Sequence, residues 1–398
     1  MNDHNLQIAG FKAAAVKGGI RGKDRLDIAL IFCEKPAVSA AVFTRSLVKA
    51  APVLLDMERM QNGEAQAILI NSGIANACTG EPGMVAARFT SSLAAKELGV
   101  AEDLVLISST GVIGMQLDLS CFEKAIPELV ASLSAHGFAD VAQAIMTTDT
   151  VPKISKRQVK IGGQQVNLLG LAKGAGMIKP NMATMLCFIM TDLAVSAELL
   201  QQMLAAGVEK SFNAISVDGD TSTNDTVLLL ASGFAGNQPL MAGSPEVSAF
   251  QVVLDDLMKD LALQIVRDGE GATKLITIRV SGALTEDEAR LAAETVAESK
   301  LVKTAFFGED ANWGRIIAAL GRSGASFNPD LVDISFDDVL MVENGLGQGK
   351  DAETLATKVL KQKEFAVNLD LKAGAASFVC YTCDLSIDYV KINADYRS

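Results

Sequence analysis

Lys173-Gly174-Ala175-Gly176-Met177-Ile178-Lys179-Pro180-Asn181-Met182-Ala183-Thr184-Met185-Leu186 carries a Gly/Pro-rich loop straight into an apolar run, Met185 to Met190, that closes on Thr191-Asp192. A loop that empties into a short continuous apolar run predicts a turn feeding a buried strand. Thr184 is the residue at which the loop ends and the strand opens. An internal threonine hydroxyl is a poor nucleophile without a base. If the peptide bond before Thr184 is cut, the new α-amine, with a reference pKa of roughly 7.7–8.0, sits on the same residue as the hydroxyl and can take its proton. Without that step, the same stretch is an ordinary turn into a strand.

Composition narrows what else the chain can be. Its 398 residues are 49% hydrophobic and 21% charged, enough apolar material for two or three domains or one large α/β body. The net charge of −12 argues against nucleic acid or an anionic membrane as the main partner. No stretch approaches the ~20 apolar residues of a membrane span. Met1-Asn2-Asp3-His4-Asn5 lacks the basic-then-apolar order of a signal peptide, so a cytoplasmic protein is expected. The six cysteines are scattered, which fits reduced thiols rather than a disulfide framework. Cys380-Tyr381-Thr382-Cys383 has CxxC spacing but lies in a β-like run with no second pair. With only His4 and His136 available, a Ser-His-Asp device or a histidine-based zinc site has little to rest on. Nucleophilic chemistry here needs another base, and an N-terminal amine qualifies.

Strand-like runs recur at Val38–Phe43, Ala67–Asn71, Leu104–Ser108, Thr226–Ala231, Lys274–Val280, Phe365–Leu371 and Ser377–Cys383. Arg157–Ile161 and Gln165–Leu169 flank Gly162-Gly163 and read as a hairpin. Helix starts are expected at the capping boxes Ser120–Glu123 and Thr285–Glu288, at Ser244-Pro245, and at Ser196. Leu98-Gly99 and Leu320-Gly321 read as helix stops. His136, in Ser134-Ala135-His136-Gly137, is expected at a helix C-terminus. Strands and helices come in mixed order, which favours a layered α+β arrangement over a doubly wound sheet. Strands on either side of the Gly174–Pro180 loop should pair across it.

Several polar segments could carry chemistry. Ser108-Ser109-Thr110-Gly111 follows a buried-type strand, where a hydroxyl and backbone N–H groups can aim at one point as in an oxyanion hole; an ordinary polar turn fits as well. Asn71–Gly80 is a small, polar loop after a strand. Met146-Thr147-Thr148-Asp149-Thr150 could hydrogen-bond a polar ligand or cap a turn before Pro152. Asp218–Thr226 is rich in oxygen ligands but lacks the last glutamate of a calcium loop, so a solvated or site-lining loop is expected. Arg267–Lys274 sets Glu270 between glycines. Phe306–Arg315 holds the only tryptophan, Trp313, whose default role is packing.

In this order, Val42-Phe43-Thr44, Asn71–Gly80, Ser109-Thr110-Gly111, Thr147–Thr150, Lys173–Leu186, Gly308–Arg315 and Asn393-Ala394-Asp395-Tyr396-Arg397-Ser398 resemble the ornithine acetyltransferase (glutamate N-acetyltransferase) family of arginine biosynthesis, over nearly the whole chain. The resemblance implies that family's own α/β sandwich, similar to N-terminal-nucleophile hydrolases in layers but not in connectivity. It implies self-cleavage between Ala183 and Thr184, giving an α chain of 1–183 and a β chain of 184–398 that assemble as an α2β2 heterotetramer. Thr184 would be the nucleophile, and Thr110 and Gly111 the oxyanion hole. Substrate contacts would come from Lys173, Glu270, Asn393, Ser398 and Thr184 itself, with Thr147 chosen over its rivals Thr148 and Thr150. The substrates would be N2-acetylornithine and glutamate, with no metal and no cofactor; acetyl-CoA stays open as a second acetyl donor. Lys179 and Ile74 depart from the family pattern, and Lys179 bears on the self-cleavage rate. Two rival readings stand: an N-terminal-threonine amidohydrolase or aminopeptidase, and a non-catalytic amino-acid-binding protein.

Overall fold

The computed structural model describes residues 6–22, 24–179 and 185–394. The chain forms two compact units, one of Met1–Met177, Asn181–Asn213 and Asp220–Ile265, the other of Ile178–Pro180, Ala214–Gly219 and Val266–Ser398.

The first unit is built on β1 (Phe11–Val16), β2 (Ile28–Phe43), β3 (Glu64–Ile74), β4 (Val105–Val112), β5 (Lys153–Ile161), β6 (Gln164–Lys173), β7 (Leu186–Thr191) and β9 (Thr226–Ala231). They form one sheet in the order β4-β3-β2-β9-β7-β6-β5, with β1 added on β2. The pairs β3–β4 and β7–β9 are parallel, and the others are antiparallel. The central strands β7 and β9 are buried along their whole length. That is why they read as continuous apolar runs rather than as alternation. Alternate residues serve the two faces: Ile68, Ile70, Phe188, Leu228 and Leu230 pack with Phe138 and Val141, while Leu30, Ala67, Leu69 and Ile107 pack with Leu55, Phe122 and Ile126. β6 pairs β7 and β2 pairs β9, so strands from both sides of the expected 183–184 junction share one sheet, as the sequence predicted.

The second unit holds β8 (Ile215–Ser216), β10 (Leu275–Ala283), β11 (Asp333–Phe336), β12 (Val339–Glu343), β13 (Leu346–Gly347), β14 (Glu364–Asp370) and β15 (Ala376–Cys383), in the order β13-β12-β11-β14-β10-β15-β8. Helices Glu286–Ala297, Lys300–Phe307 and Trp313–Gly321 supply Ala289, Ala293, Val296, Val302, Phe306 and Ile316 to the core on this sheet. Both units are therefore mixed sheets layered with helices, the α/β architecture expected.

Several local expectations hold. Thr285 and Ser196 cap their helices by accepting from Glu288 N and Leu199 N. Gly99 ends the helix Gly80–Leu98 with φ of 71°. The hairpin turns at Gly162-Gly163. Others need correction. The helix Leu119–Ala131 is capped by Asp118, whose carboxylate accepts from Ser120 N, not by Ser120. The Ser244 hydroxyl accepts from Met241 N inside a turn, and the helix starts only at Val247. His136 lies exposed in the turn before the helix Phe138–Ala144, not at a helix C-terminus. Cys380 and Cys383 are buried in β15, and burial pushes both thiols above their ordinary pKa. That suits packing and not thiolate chemistry.

Candidate active site

Three expected site residues converge in the first unit. Thr110 and Gly111 lie in β4, where the parallel register sets them opposite Ser72 and Gly73 of β3. Gly111 has φ of 133°, and a Cβ there would stand 2.2 Å from the Gly73 carbonyl carbon, so the close approach of β3 and β4 admits no side chain. Lys173 is the last residue of β6, opposite Leu186 at the start of β7. Its ammonium donates to Thr110 Oγ1 at 3.2 Å. The expected oxyanion residues are thus tied to the mouth of the strand that Thr184 precedes by two residues. Ala183, Thr184 and Ser398 lie outside the described residues.

The polar loops around this point are knitted together. Asn224 Nδ2 donates to the carbonyls of Ala75 and Ser109 at 2.6 and 2.8 Å, joining Asn71–Gly80 to β4. Ser109 Oγ donates to Asn71 Oδ1 at 2.6 Å. The stretch Ser222–Thr226 is buried, which corrects the expectation of a solvated loop at its C-terminal end. Its backbone and side chains are used inside the protein: Thr44 N donates to Asp225 O, and Met185 N donates to Asp225 Oδ1 at 3.1 Å.

Asp149 is the hub of the Thr147–Thr150 run. One carboxylate oxygen accepts from Lys153 Nζ and Gly174 N, both at 2.7 Å, and the other from Thr147 N at 2.9 Å. Burial alone would raise its pKa, but the charges of Lys173 and Lys153 and the bonds it accepts outweigh that and hold it well below the carboxylate range. The carboxylate of this run therefore clamps the start of the Gly174 loop beside Thr147. The Thr147 carbonyl accepts from Arg21 Nη2 at 3.1 Å.

Asp225 behaves in the opposite sense. Burial pushes its pKa well above the carboxylate range, against the bond from Met185 N–H and the charge of Lys173. A carboxyl group with a raised folded pKa adds stability below its unfolded value of about 4 and gives it up as pH rises through the folded value. Asp225→Asn should therefore gain stability relative to the parent chain on going from pH 4 to pH 8, read as the difference in melting temperature at each pH. An unchanged difference across that range would show that Asp225 is not held protonated.

In the second unit Glu270 is buried, and Asn393 Nδ2 donates to its Oε2 at 2.8 Å. Ser386 Oγ donates to Gly271 O at 2.6 Å, and Thr273 N donates to Asp384 Oδ1 at 2.8 Å, which fixes the Arg267–Lys274 turn against the chain end. Two more expected substrate residues are therefore adjacent to each other within that unit.

The sequence model of the ArgJ family matches residues 12–398. The chain belongs to the ArgJ family. It is 56% identical over 393 residues to the arginine biosynthesis bifunctional protein ArgJ of Desulfotalea psychrophila, covering 99% of this chain and 100% of that one. It is 52% identical over 393 residues to the protein of the same name from Geobacter sulfurreducens, with the same coverage. A crystal structure of the arginine biosynthesis bifunctional protein argJ from Bacillus halodurans aligns at 41% identity and a TM-score of 0.49, over 51% of this chain and 95% of that one.

The chain is an ArgJ-type acyltransferase of arginine biosynthesis, which bears out the family and enzyme class read from the motifs. No helix among the described residues is long and apolar enough to cross a membrane. Two polar groups beside the ArgJ motifs went unread in the sequence. Lys153 opens β5 with its side chain fully buried against Asp149. Asp225 was counted only as one oxygen ligand in a polar run. For Lys153 a signal existed, a lysine four residues after an aspartate, but that spacing is also ordinary on a surface.

Proposed function

We propose that this ArgJ protein transfers an acetyl group from N2-acetylornithine to glutamate through an acetyl-Thr184 intermediate, after its own cleavage between Ala183 and Thr184. The freed Thr184 amine takes the proton of its own hydroxyl as Oγ attacks the acetyl carbonyl. Thr110 and Gly111 receive the negative charge that develops on the carbonyl oxygen, and losing one such donor costs about 2.7–4 kcal/mol of barrier. Ornithine leaves as the amine, and the amino group of glutamate then attacks the acetyl ester to give N-acetylglutamate. Lys173, Asn393 and Ser398 suit carboxylate and amide groups, Thr147 adds a polar contact, and the Glu270 carboxylate suits an ammonium. No metal enters the reaction. The two chains, 1–183 and 184–398, assemble as α2β2 in the cytoplasm.

The observation that supports this most is the bond from Lys173 to Thr110 at the point where β6 meets the start of β7. It links the oxyanion residues to the strand that follows Thr184. Acetyl-CoA as a second donor fits the bifunctional name of the relatives. Intact mass spectrometry and an acetyl-transfer assay with labelled N2-acetylornithine and labelled acetyl-CoA test the proposal. The expected result is two chains divided at 183–184 and label passing to glutamate. An amidohydrolase would release acetate at a rate that glutamate does not change; a binding protein would stay whole and transfer nothing.

A further inference from the structure

Thr110 can do only part of the work of an oxyanion donor by itself. A hydroxyl has one hydrogen and two lone pairs, and the hydrogen rotates to whichever acceptor is nearest. Lys173 changes that choice. Its ammonium is a donor without acceptor capacity, and it occupies a lone pair of Thr110 Oγ1 at 3.2 Å. The hydroxyl hydrogen must then point elsewhere, and the charge behind it makes it a stronger donor.

Something must hold that ammonium in place. Lys173 and Thr110 are both buried. A buried lysine next to a hydroxyl keeps its charge only with a counter-charge nearby. Asp149 provides it, and its attachments show what it fixes: Gly174 N, the amide just after Lys173, and Thr147 N are bonded to its two oxygens. Lys153, also without exposure, occupies the oxygen that Gly174 N shares, at 2.7 Å. The cluster is thus one carboxylate between two lysines, with Arg21 on the Met146 and Thr147 carbonyls and Asp225, whose pKa burial raises, also in range of Lys173. Lys153 already sits on Asp149 at 2.7 Å, while the Lys173 ammonium bonds Thr110 with the Asp149 charge behind it. We infer that Asp149 is a positioning residue for acetyl transfer: balanced by Lys153, its carboxylate seats the Lys173 ammonium on Thr110 and so aims the threonine hydroxyl at the developing oxyanion.

The inference rests on the acetyl-transfer reading above, and the test separates the two. Three variants are compared in the full, self-cleaved protein: Asp149→Asn, Lys153→Met, and the two together. Rates are taken per cleaved chain, with the melting temperature measured for each. Asp149→Asn leaves two buried ammonium groups facing each other, so Lys173 gives up its place. The expected loss in kcat is on the order of 10²-fold, as for a misdirected oxyanion donor, with KM for N2-acetylornithine changed far less. Lys153→Met lets Asp149 draw Lys173 away from Thr110 and should lower kcat in the same direction. The double variant removes a buried pair together, which is close to neutral for folding, and should regain about tenfold in kcat over Asp149→Asn.

A purely structural role would lower the melting temperature of the single variants and leave kcat per cleaved chain and its ratio to KM unmoved, and that result overturns the inference. So does a double variant no faster than Asp149→Asn. If Asp149→Asn does not fold, Lys153→Met decides alone: a kcat within about twofold of the parent overturns the inference. Failure of the acetyl-transfer reading would show differently, as an unmodified chain that passes no label to glutamate.

Discussion

Thr184→Ala should run as one uncut chain of 41.8 kDa on a denaturing gel and should pass no acetyl group to glutamate. The alanine variant keeps the loop and the strand but has no hydroxyl to attack the preceding peptide bond, so no new amine is formed. It also has no hydroxyl to carry the acetyl group afterwards. Neither the described histidine nor the buried thiols suit either function. His136, the only histidine among the described residues, sits exposed in a turn with both ring nitrogens against the Gln7 amide. The buried cysteines have thiols raised by burial and are poor thiolates. Losing a nucleophile that acts as part of a unit costs on the order of 10⁶-fold in kcat, so residual transfer should fall below detection. Thr184→Ser keeps both the hydroxyl and the future amine and should still give two bands. Two bands from Thr184→Ala, or full activity in an uncut chain, would remove Thr184 from the reaction.

Which parts of this molecule could be read from its residues follows from how local each cause is. Thr226–Ala231 was legible to the residue because a strand buried on both faces needs an unbroken apolar run, and β9 has one. The hairpin of β5 and β6 was legible because Gly162-Gly163 has few other uses between two such runs. β1 was not. Lys12-Ala13-Ala14-Ala15 has little strand preference, and its conformation comes from pairing along β2. The first half of β2 was missed although Ile28-Ala29-Leu30-Ile31-Phe32-Cys33 is the kind of continuous apolar run that a buried strand needs. Asp118 and Ser120 are both cap-type residues, and only the direction from which the chain enters decides between them.

The site divides similarly. Thr110, Gly111 and Lys173 were picked out through the ordered set of motifs that resembles the family, since Ser108–Gly111 by itself reads as well as a polar turn. The roles of Asp149 and Asp225 depend on bonds between segments: Gly174 N reaches back to Asp149, and Met185 N reaches forward to Asp225. Spacing along the chain carries no trace of such pairs. Burial compounds the difficulty, since Asp149 and Asp225 are the same residue type in similar polar runs, yet what packs around them lowers the pKa of one and raises that of the other.

Gly111→Ala is expected to strike both the fold and the reaction. The backbone there has φ of 133°, a region that residues with a Cβ rarely enter, at a cost of about 1–3 kcal/mol. The added carbon would also lie 2.2 Å from Gly73 C, 2.3 Å from Gly73 O and 2.6 Å from Ile74 N. All three are backbone atoms of β3, so no side chain can swing aside, and β3 and β4 must separate. Overpacking of this kind adds about 1–3 kcal/mol. Separation also turns the Gly111 N–H away from its target, which lowers kcat by roughly 10²–10³-fold if that group is an oxyanion donor. Two further variants divide these causes. Gly99→Ala also has a positive φ, 71°, in the milder left-handed helical region, with open space around the new carbon, so it should lose a little stability and no activity. Thr110→Val keeps the shape of the strand and removes only the hydroxyl that Lys173 donates to, so activity should fall while the melting temperature drops by that one bond and not by a separation of strands. If Gly111→Ala melts early yet transfers acetyl groups at the parent rate, the glycine is there for the packing of two strands, and the oxyanion must find its second donor elsewhere.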